Sequence, residues 1–377
     1  MARELLAQDV AGKSPGLCSN ACLLLARAGL PGDGGVVLLT LLGSACSGTA
    51  PADRTARDTV DTGSTRDTGQ TGAGGVTFTD LDGQTSDWTE FFTLGTATTW
   101  STDGTLAFGP GDWFVRLAVT ADDLHITGAG RDATTLSGGE QGTVVRVVGG
   151  ELTLTDVTID RGRALGAGNE ARGGGLFCDE GAELTLERLT LSNNRAYDGG
   201  ALFATDCTVE GDDLLFTGNR ADDDGGAIAV YSDGALTFTN TTFSGGSARD
   251  GGAVFLWGGT LSLVDGRFDA NVASDKAGGL LNYQSQVSLV DVQFTDNESG
   301  GGGAIHSAGH TDLERVTFSG NVAPLGGGLL VFASATTRGV ACVFQGNEPD
   351  DVNSSVGSYV FPEVLDFFCD SNGCVEE

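Results

Sequence analysis

A parallel β-helix of about nine or ten coils, all β and preceded by a disordered N-terminal segment, is the fold that this 377-residue sequence predicts. Three observations carry the prediction. A glycine pair followed by two or three apolar residues recurs seven times. Its second glycines are Gly175, Gly200, Gly226, Gly252, Gly279, Gly303 and Gly328, so the steps are 25, 26, 26, 27, 24 and 25 residues. In phase with it, an apolar residue is followed three positions later by asparagine: Leu191 with Asn194, Phe216 with Asn219, Phe268 with Asn271, Phe294 with Asn297, Phe318 with Asn321 and Phe344 with Asn347. The copy at Phe243 has Gly246 instead. Between these landmarks the residues alternate, as in Leu184-Thr185-Leu186 and Leu261-Ser262-Leu263. Alternation over short runs bounded by glycine, aspartate or asparagine signals strand. A unit of this length buries its apolar face by stacking on its neighbours.

In chain order, residues 1–46 read as a signal segment. Residues 36–45 are a short apolar run leading into Cys46. The run is too short for a bilayer span of about 20 residues but has the length of a signal-peptide core. Leu42-Gly43-Ser44-Ala45-Cys46 resembles a bacterial lipoprotein cleavage site, with Gly43 where leucine is usual, which implies lipidation of Cys46. Initiation nearer Leu24, with Arg27 as the positive flank, would give the leader an ordinary length. Residues 47–75, rich in Ser, Thr, Gly and Asp, lack the apolar content to fold and read as a polar tether.

Residues 76–350 form the predicted stack and its N-terminal cap. Trp88, Phe91, Phe92 and Trp100 supply the cap, because a bare end coil would expose a strand edge. The stretch from Gly109 to Gly162 resembles the opening coils of pectate-lyase-like β-helices. Its Gly128-Ala129-Gly130 reads as a turn, since no helix follows to make a nucleotide site. Farther on, equivalent residues stack in ladders about 4.8 Å apart. The ladder Ile159, Leu191, Phe216, Phe243, Phe268, Phe294, Phe318, Phe344 is expected to face the lumen. So is the ladder two residues earlier, which includes Val157, Leu189, Val316 and Cys342. The asparagines should stack amide on amide at a turn. The glycine pairs should serve positive φ or close backbone approach. Residues 351–377 read as a C-terminal cap and tail.

The paired motifs Gly-Gly-Ala-aliphatic and Phe-x-x-Asn, from about Gly173 to Asn347, resemble the repeats of the chlamydial polymorphic outer-membrane proteins and their bacterial relatives. The resemblance implies a right-handed, pectate-lyase-like parallel β-helix displayed at a cell surface, several family members being implicated in adhesion. Those autotransporters end in a membrane barrel. Here no series of ten-residue amphipathic strands follows Asn347, so self-export through a barrel is not expected.

Net charge is −31, with lysine at Lys13 and Lys276 alone. Nucleic acid and anionic membrane surfaces, which recruit basic patches, are therefore excluded as expected partners. Membrane association is expected only through the N-terminal lipid, and the chain is expected to be a monomer. Cys369 and Cys374 bracket Asp370-Ser371-Asn372-Gly373, a turn that can bring the two sulfurs together in an exported protein. Cys178 and Cys207 lie in adjacent coils but out of line, so that pairing ranks lower. His306 and His310 are four apart on a strand and turn, which reads as a surface role without metal, and His125 has no partner suggested by sequence.

Asp198, Asp224 and Asp250 each precede a glycine pair at steps of 26 and 26, which predicts a column of stacked carboxylates. Such oxygens can bind Ca²⁺, the one cofactor the sequence suggests. Nearby Arg195, Arg220 and Arg249 could neutralise the column without metal, and Asp275 lies close to it. No catalytic motif recurs. The leading functional reading is a non-catalytic, lipid-anchored or secreted surface module that binds a glycan or protein. The alternative is a polysaccharide lyase or hydrolase, whose groove would carry irregular aromatics and carboxylates.

Overall fold

The computed structural model describes residues 74–354, 357–359, 365–370 and 372–376. Cys46 and nearly all of the 47–75 segment lie outside them. The described chain is an all-β solenoid of about nine turns. Its helical content is the five-residue helix Thr89–Thr93 and a 3-10 turn at Gly168–Ala171. No helix among the described residues is long and apolar enough to cross a membrane.

A typical coil has a short strand, a turn and a ten-residue strand bent in its middle. The short strands Leu176–Asp179, Leu202–Thr205, Ile228–Tyr231 and Val254–Trp257 pair in parallel, as do the long strands Glu183–Ser192, Thr208–Thr217, Ala235–Ser244 and Thr260–Asp269. Each bend is one left-handed residue: Arg188, Asp213, Asn240 and Asp265 have φ of 53°, 54°, 46° and 56°. The bend breaks the two-residue alternation, so Leu186 and Leu189 both face the lumen although they are three apart. Asn and Asp tolerate this conformation best, and several of these positions also carry ion pairs between coils. Arg188 grips Asp156 through two bonds of 2.8 and 2.9 Å, and Arg315 grips Asp291 in the same way.

The strand register corrects the spacing taken from the glycine pairs. Leu176, Leu202, Ile228, Val254, Leu280, Ile305 and Leu329 are neighbours, at steps of 26, 26, 26, 26, 25 and 24. Triplets Gly173-Gly174-Gly175 and Gly326-Gly327-Gly328 made the pair ambiguous by one place, and at the third shifted coil Ala277 takes the positive-φ position with φ 54°. The two glycines have separate tasks. Gly251 sits at φ 63°, whereas a Cβ on Gly252 would lie 2.4 Å from the Gly278 carbonyl oxygen of the next coil.

Inside the lumen the phenylalanine ladder is continuous and reaches upstream through Leu136 to Trp113. From Phe216 to Phe344 successive ring centroids are 4.9, 4.7, 4.4, 5.3 and 4.7 Å apart, stacked within 19°. Each such burial contributes about 1.5–3 kcal/mol. Beside it runs the asparagine ladder. Asn297 Oδ1 accepts from the backbone N–H and Nδ2 of Asn271 (3.1 and 2.9 Å), while its own Nδ2 donates to Phe268 O and Asn321 Oδ1 (3.0 and 2.9 Å). Gly246 interrupts this ladder after Asn219, and its backbone N–H alone bonds Asn271 Oδ1 at 2.8 Å.

Antiparallel segments close both ends. Val76–Thr79 runs against Gly104–Phe108 and Thr85–Asp87, and beneath it Trp88, Trp100, Phe91 and Phe92 pack edge to face and stacked. Leu365–Asp370 lies against Thr336–Gln345 and turns back through Gly373–Glu376, with Phe367 packed on Phe344. Cys369 and Cys374 are bonded across that hairpin. Contrary to the ranking from sequence, Cys178 and Cys207 are bonded as well. Asp206, left-handed at φ 45°, turns the chain inward so that Cys207 reaches the lumen-facing Cys178 with Cα atoms 6.1 Å apart. Cys342 is a buried free thiol, pushed up to about 11 by its burial.

Candidate functional site

The short strands alternate in and out, and their outward residues form a second aromatic run that the sequence reading passed over. The register stacks Phe177, Phe203, Ala229, Phe255, Leu281 and His306, and two residues farther along it aligns Tyr231, Trp257, Tyr283 and Ala308. In the first coils this face is covered. Arg146 lies 3.7 Å from the Phe177 ring centroid and donates to Asn169 O, while Arg172 lies over Phe203 and Tyr231 at 4.8 and 5.1 Å. Phe177 and Phe203 are consequently buried. From Trp257 onward the cover ends, and Trp257 and Tyr283 are 48% and 43% exposed.

There the face forms a groove of about 290 Å³, floored by Phe255 and Leu281 and walled by Trp257, Tyr283 and Phe332. Asp224, Arg249, Asp250 and Lys276 form its polar side. His306 also lines it and is a correction to the expected surface role, since it is buried with its ring stacked 5.5 Å from Phe332. Burial, with Lys276 nearby, holds the imidazole down at about 4, and its Nδ1 is buried without a hydrogen-bond partner. His310 faces elsewhere, bonding Thr336 and Asp312, and His125 bonds Thr155.

The three aspartates do fall in one column, but the column is longer than the sequence reading had it. Its order is Arg172, Asp198, Asp224, Asp250, Lys276, set by a chain of backbone bonds one coil apart. Cations therefore close both ends of the acidic run. Arg172 Nε meets Asp198 Oδ2 at 2.9 Å, and Lys276 Nζ meets Asp250 Oδ1 and Oδ2 at 3.2 and 3.3 Å. Asp275 is outside the column, paired to the same Lys276 ammonium at 2.8 Å. Of the three arginines expected to neutralise the column, Arg249 does so, reaching Asp223 at 2.8 Å and Asp250 at 3.3 Å; Arg195 goes to Asp222 and Arg220 also turns toward it.

Asp224, at the centre, has no cation. Its Oδ2 accepts a short hydrogen bond from the Tyr231 hydroxyl. Burial raises its carboxyl to about 7, and Asp223, Asp198 and Asp250 add to the rise while Tyr231 opposes it. Tyr231 is in turn pushed far above the usual phenol range by burial and by Asp224. Burial also raises Asp198, against the pull of Arg172. The site thus joins an open aromatic wall to a buried carboxyl that changes charge near neutral pH. The aromatic run was legible in principle, because in each coil it sits one place after the lumen-facing aliphatic. Arg172 and Lys276 were hidden by the one-residue ambiguity of the glycines.

Parallel coils, a bent long strand and terminal caps define the class, a parallel β-helix with a lateral groove. The family model "Right handed beta helix region" matches residues 174–348, the stretch that holds the regular parallel coils described above. The chain is similar to the probable autotransporter YfaL of Escherichia coli K12, 34% identical over 188 residues, covering 45% of this chain and 14% of that protein. It is also similar to the probable outer membrane protein pmp6 of Chlamydia pneumoniae, 29% identical over 182 residues, covering 44% and 13%. The chain thus spans a small part of the length of these curated relatives. Among solved structures, ORF18 of Geobacillus virus E2 aligns over 64% of this chain and 54% of its own, with 10% identity and a TM-score of 0.28.

Proposed function

We propose that the chain is a non-catalytic, exported surface protein that adheres to a glycan through the lateral groove and is tethered to the membrane by a lipid on Cys46. The names of its relatives, an autotransporter and an outer membrane protein, support a surface-associated location. The observation that carries the glycan reading is the half-exposed pair Trp257 and Tyr283, 5.9 Å apart edge to face, opposite Asp224, Asp250 and Lys276. Indole and phenol rings offer apolar faces for sugar C–H groups at low entropic cost. The carboxylates accept from hydroxyls, and the unpartnered His306 Nδ1 adds one more polar contact. The groove volume is at the lower end of the range of about 300–1,000 Å³ typical of ligand sites.

Glycan-array screening followed by calorimetry tests the reading. Trp257→Ala and Tyr283→Ala should each weaken binding at least tenfold with the fold unchanged by circular dichroism. An array without hits, or hits indifferent to both substitutions, would remove it.

A second reading, a polysaccharide lyase or hydrolase, is favoured by one observation: Asp224, with its carboxyl near 7, borders the groove and has the property of a general acid. Against it, Asp250 across the column is held by Lys276 and Arg249 and is not free to act as base or nucleophile. Release of reducing ends or unsaturated products that disappears in Asp224→Asn would reverse this order.

A further inference from the structure

Asp198, Asp223 and Asp224 come from two successive coils, and each offers one carboxylate oxygen within 4.8 Å of the other two. A cluster of acids is not in itself a site. Here a second observation bears on it: Asp198 Oδ1 and Asp224 Oδ1 are buried without a hydrogen-bond partner, on residues 1% and 7% exposed. The other oxygen of each is already used, by Arg172 and by Tyr231. A carboxylate oxygen removed from water and given no donor is unfavourable, and a single proton can relieve one of the two.

Charge points the same way. Four carboxylates meet here, Asp198, Asp223, Asp224 and Asp250, with three cations among them, Arg172, Arg249 and Lys276. The uncompensated negative charge falls on Asp224. We infer that Asp198, Asp223 and Asp224 ligate a divalent cation of the Ca²⁺ type. The donors are all oxygen, which suits a hard cation, and their irregular arrangement suits Ca²⁺ better than the strict octahedron of Mg²⁺. Asp250 is excluded from the site, because Lys276 and Arg249 occupy its two oxygens. Asp223, whose side chain is partly exposed, gives the ion its route from solvent. With two of the three ligands shared with arginine, affinity should fall in the weak range of extracellular calcium modules, about 10⁻⁴–10⁻³ M. The site needs no glycan, so it stands or falls apart from the adhesive reading.

The test uses the full chain without glycan. Tb³⁺ emission sensitised by Tyr231 and Tyr197 reports occupancy, and displacement by Ca²⁺ gives the affinity. At pH 8, Asp224→Asn should weaken Ca²⁺ at least tenfold, while Asp275→Asn, on the exposed neighbour, should leave it unchanged. Asp223→Asn, at a partly exposed position, supplies the same reading should a substitution at a buried aspartate unfold the chain. Absence of displacement at millimolar Ca²⁺, or binding equal in wild type, Asp224→Asn and Asp223→Asn, would overturn the assignment and leave only a diffuse acidic surface.

Discussion

Replacing Asn297 with alanine removes four hydrogen bonds at the centre of the asparagine ladder. The consequences differ for each partner. Asn271 loses the acceptor of its backbone N–H, which is buried in a turn, and one of the two acceptors of its Nδ2; the other, Phe243 O at 3.0 Å, remains. Phe268 O loses a donor, and Asn321 Oδ1 keeps the bond from the residue 297 backbone N–H at 3.0 Å. Each buried polar group left unpaired costs about 1–3 kcal/mol, so with the Asn271 N–H orphaned and three further groups each losing one partner, the expected loss is about 3–5 kcal/mol. Asn219 provides an internal comparison. Gly246 follows it in the next coil, so its side chain makes three such bonds, and Asn219→Ala should cost about 1 kcal/mol less than Asn297→Ala. Urea unfolding followed by far-UV circular dichroism measures both, with the slope checked because stacked repeats do not always unfold in one step. A loss below about 1 kcal/mol for Asn297→Ala, or the reverse order of the two variants, would refute the ladder as a source of stability.

Other outcomes follow from the same structure. Breaking the 178–207 bridge by a Cys178→Ser/Cys207→Ser double substitution frees a 29-residue loop and should cost about 3–4 kcal/mol, read as a lower urea midpoint; an unchanged midpoint would deny the bridge a structural role. The Asp224 carboxyl is raised from 3.8 to about 7, so its contribution to stability is complete below about pH 4 and is lost as pH rises through 7, at up to about 1.4 kcal/mol per pH unit. His306 is depressed from 6.5 to about 4, so its contribution is complete above 6.5 and is lost as pH falls through 4. The two oppose each other between about pH 4 and 6.5, so Asp224→Asn should make the chain more sensitive to acid than wild type over that range and remove the share of the wild-type decline that Asp224 causes up to pH 7. Thermal melts across that range give the comparison, and parallel curves for the two proteins would contradict it. Radiolabelled palmitate should enter the wild-type chain in a bacterial host and not Cys46→Ala; equal labelling would dismiss the anchor.

The stack could be read from the chain because its determinants are periodic. The phenylalanine and asparagine ladders need no tertiary information once the coils are aligned, and the lumen positions of Val157, Leu189, Val316 and Cys342 follow from that alignment. What escaped was whatever departs from period or from alternation. The left-handed bend at Arg188 and its equivalents has no single residue type, since arginine, aspartate, asparagine and alanine all occupy it. The groove depends on Arg146 and Arg172 covering one end of an aromatic run and on nothing covering the other. Buried His306 depended on Phe332, which lies 26 residues away in the sequence and one coil away in space. The carboxylates at 198, 224 and 250 were found as a column, yet the cations that end it were missed because a third glycine, or an alanine in place of a glycine, moved the frame by one.

Both ends of the solenoid are sealed by strands running against the stack, while the short strands from Leu176 to Leu329 pair in parallel from coil to coil. Length is therefore a free variable. Duplication or deletion of one whole coil in the middle of the gene would change the rod by about 4.8 Å without exposing a strand edge or breaking a cap. The groove, by contrast, is confined to the coils around Trp257 and Tyr283, where aromatic residues outnumber their cover. Unequal recombination would thus change the length of the rod and point substitution the lining of the groove, with neither change constraining the other.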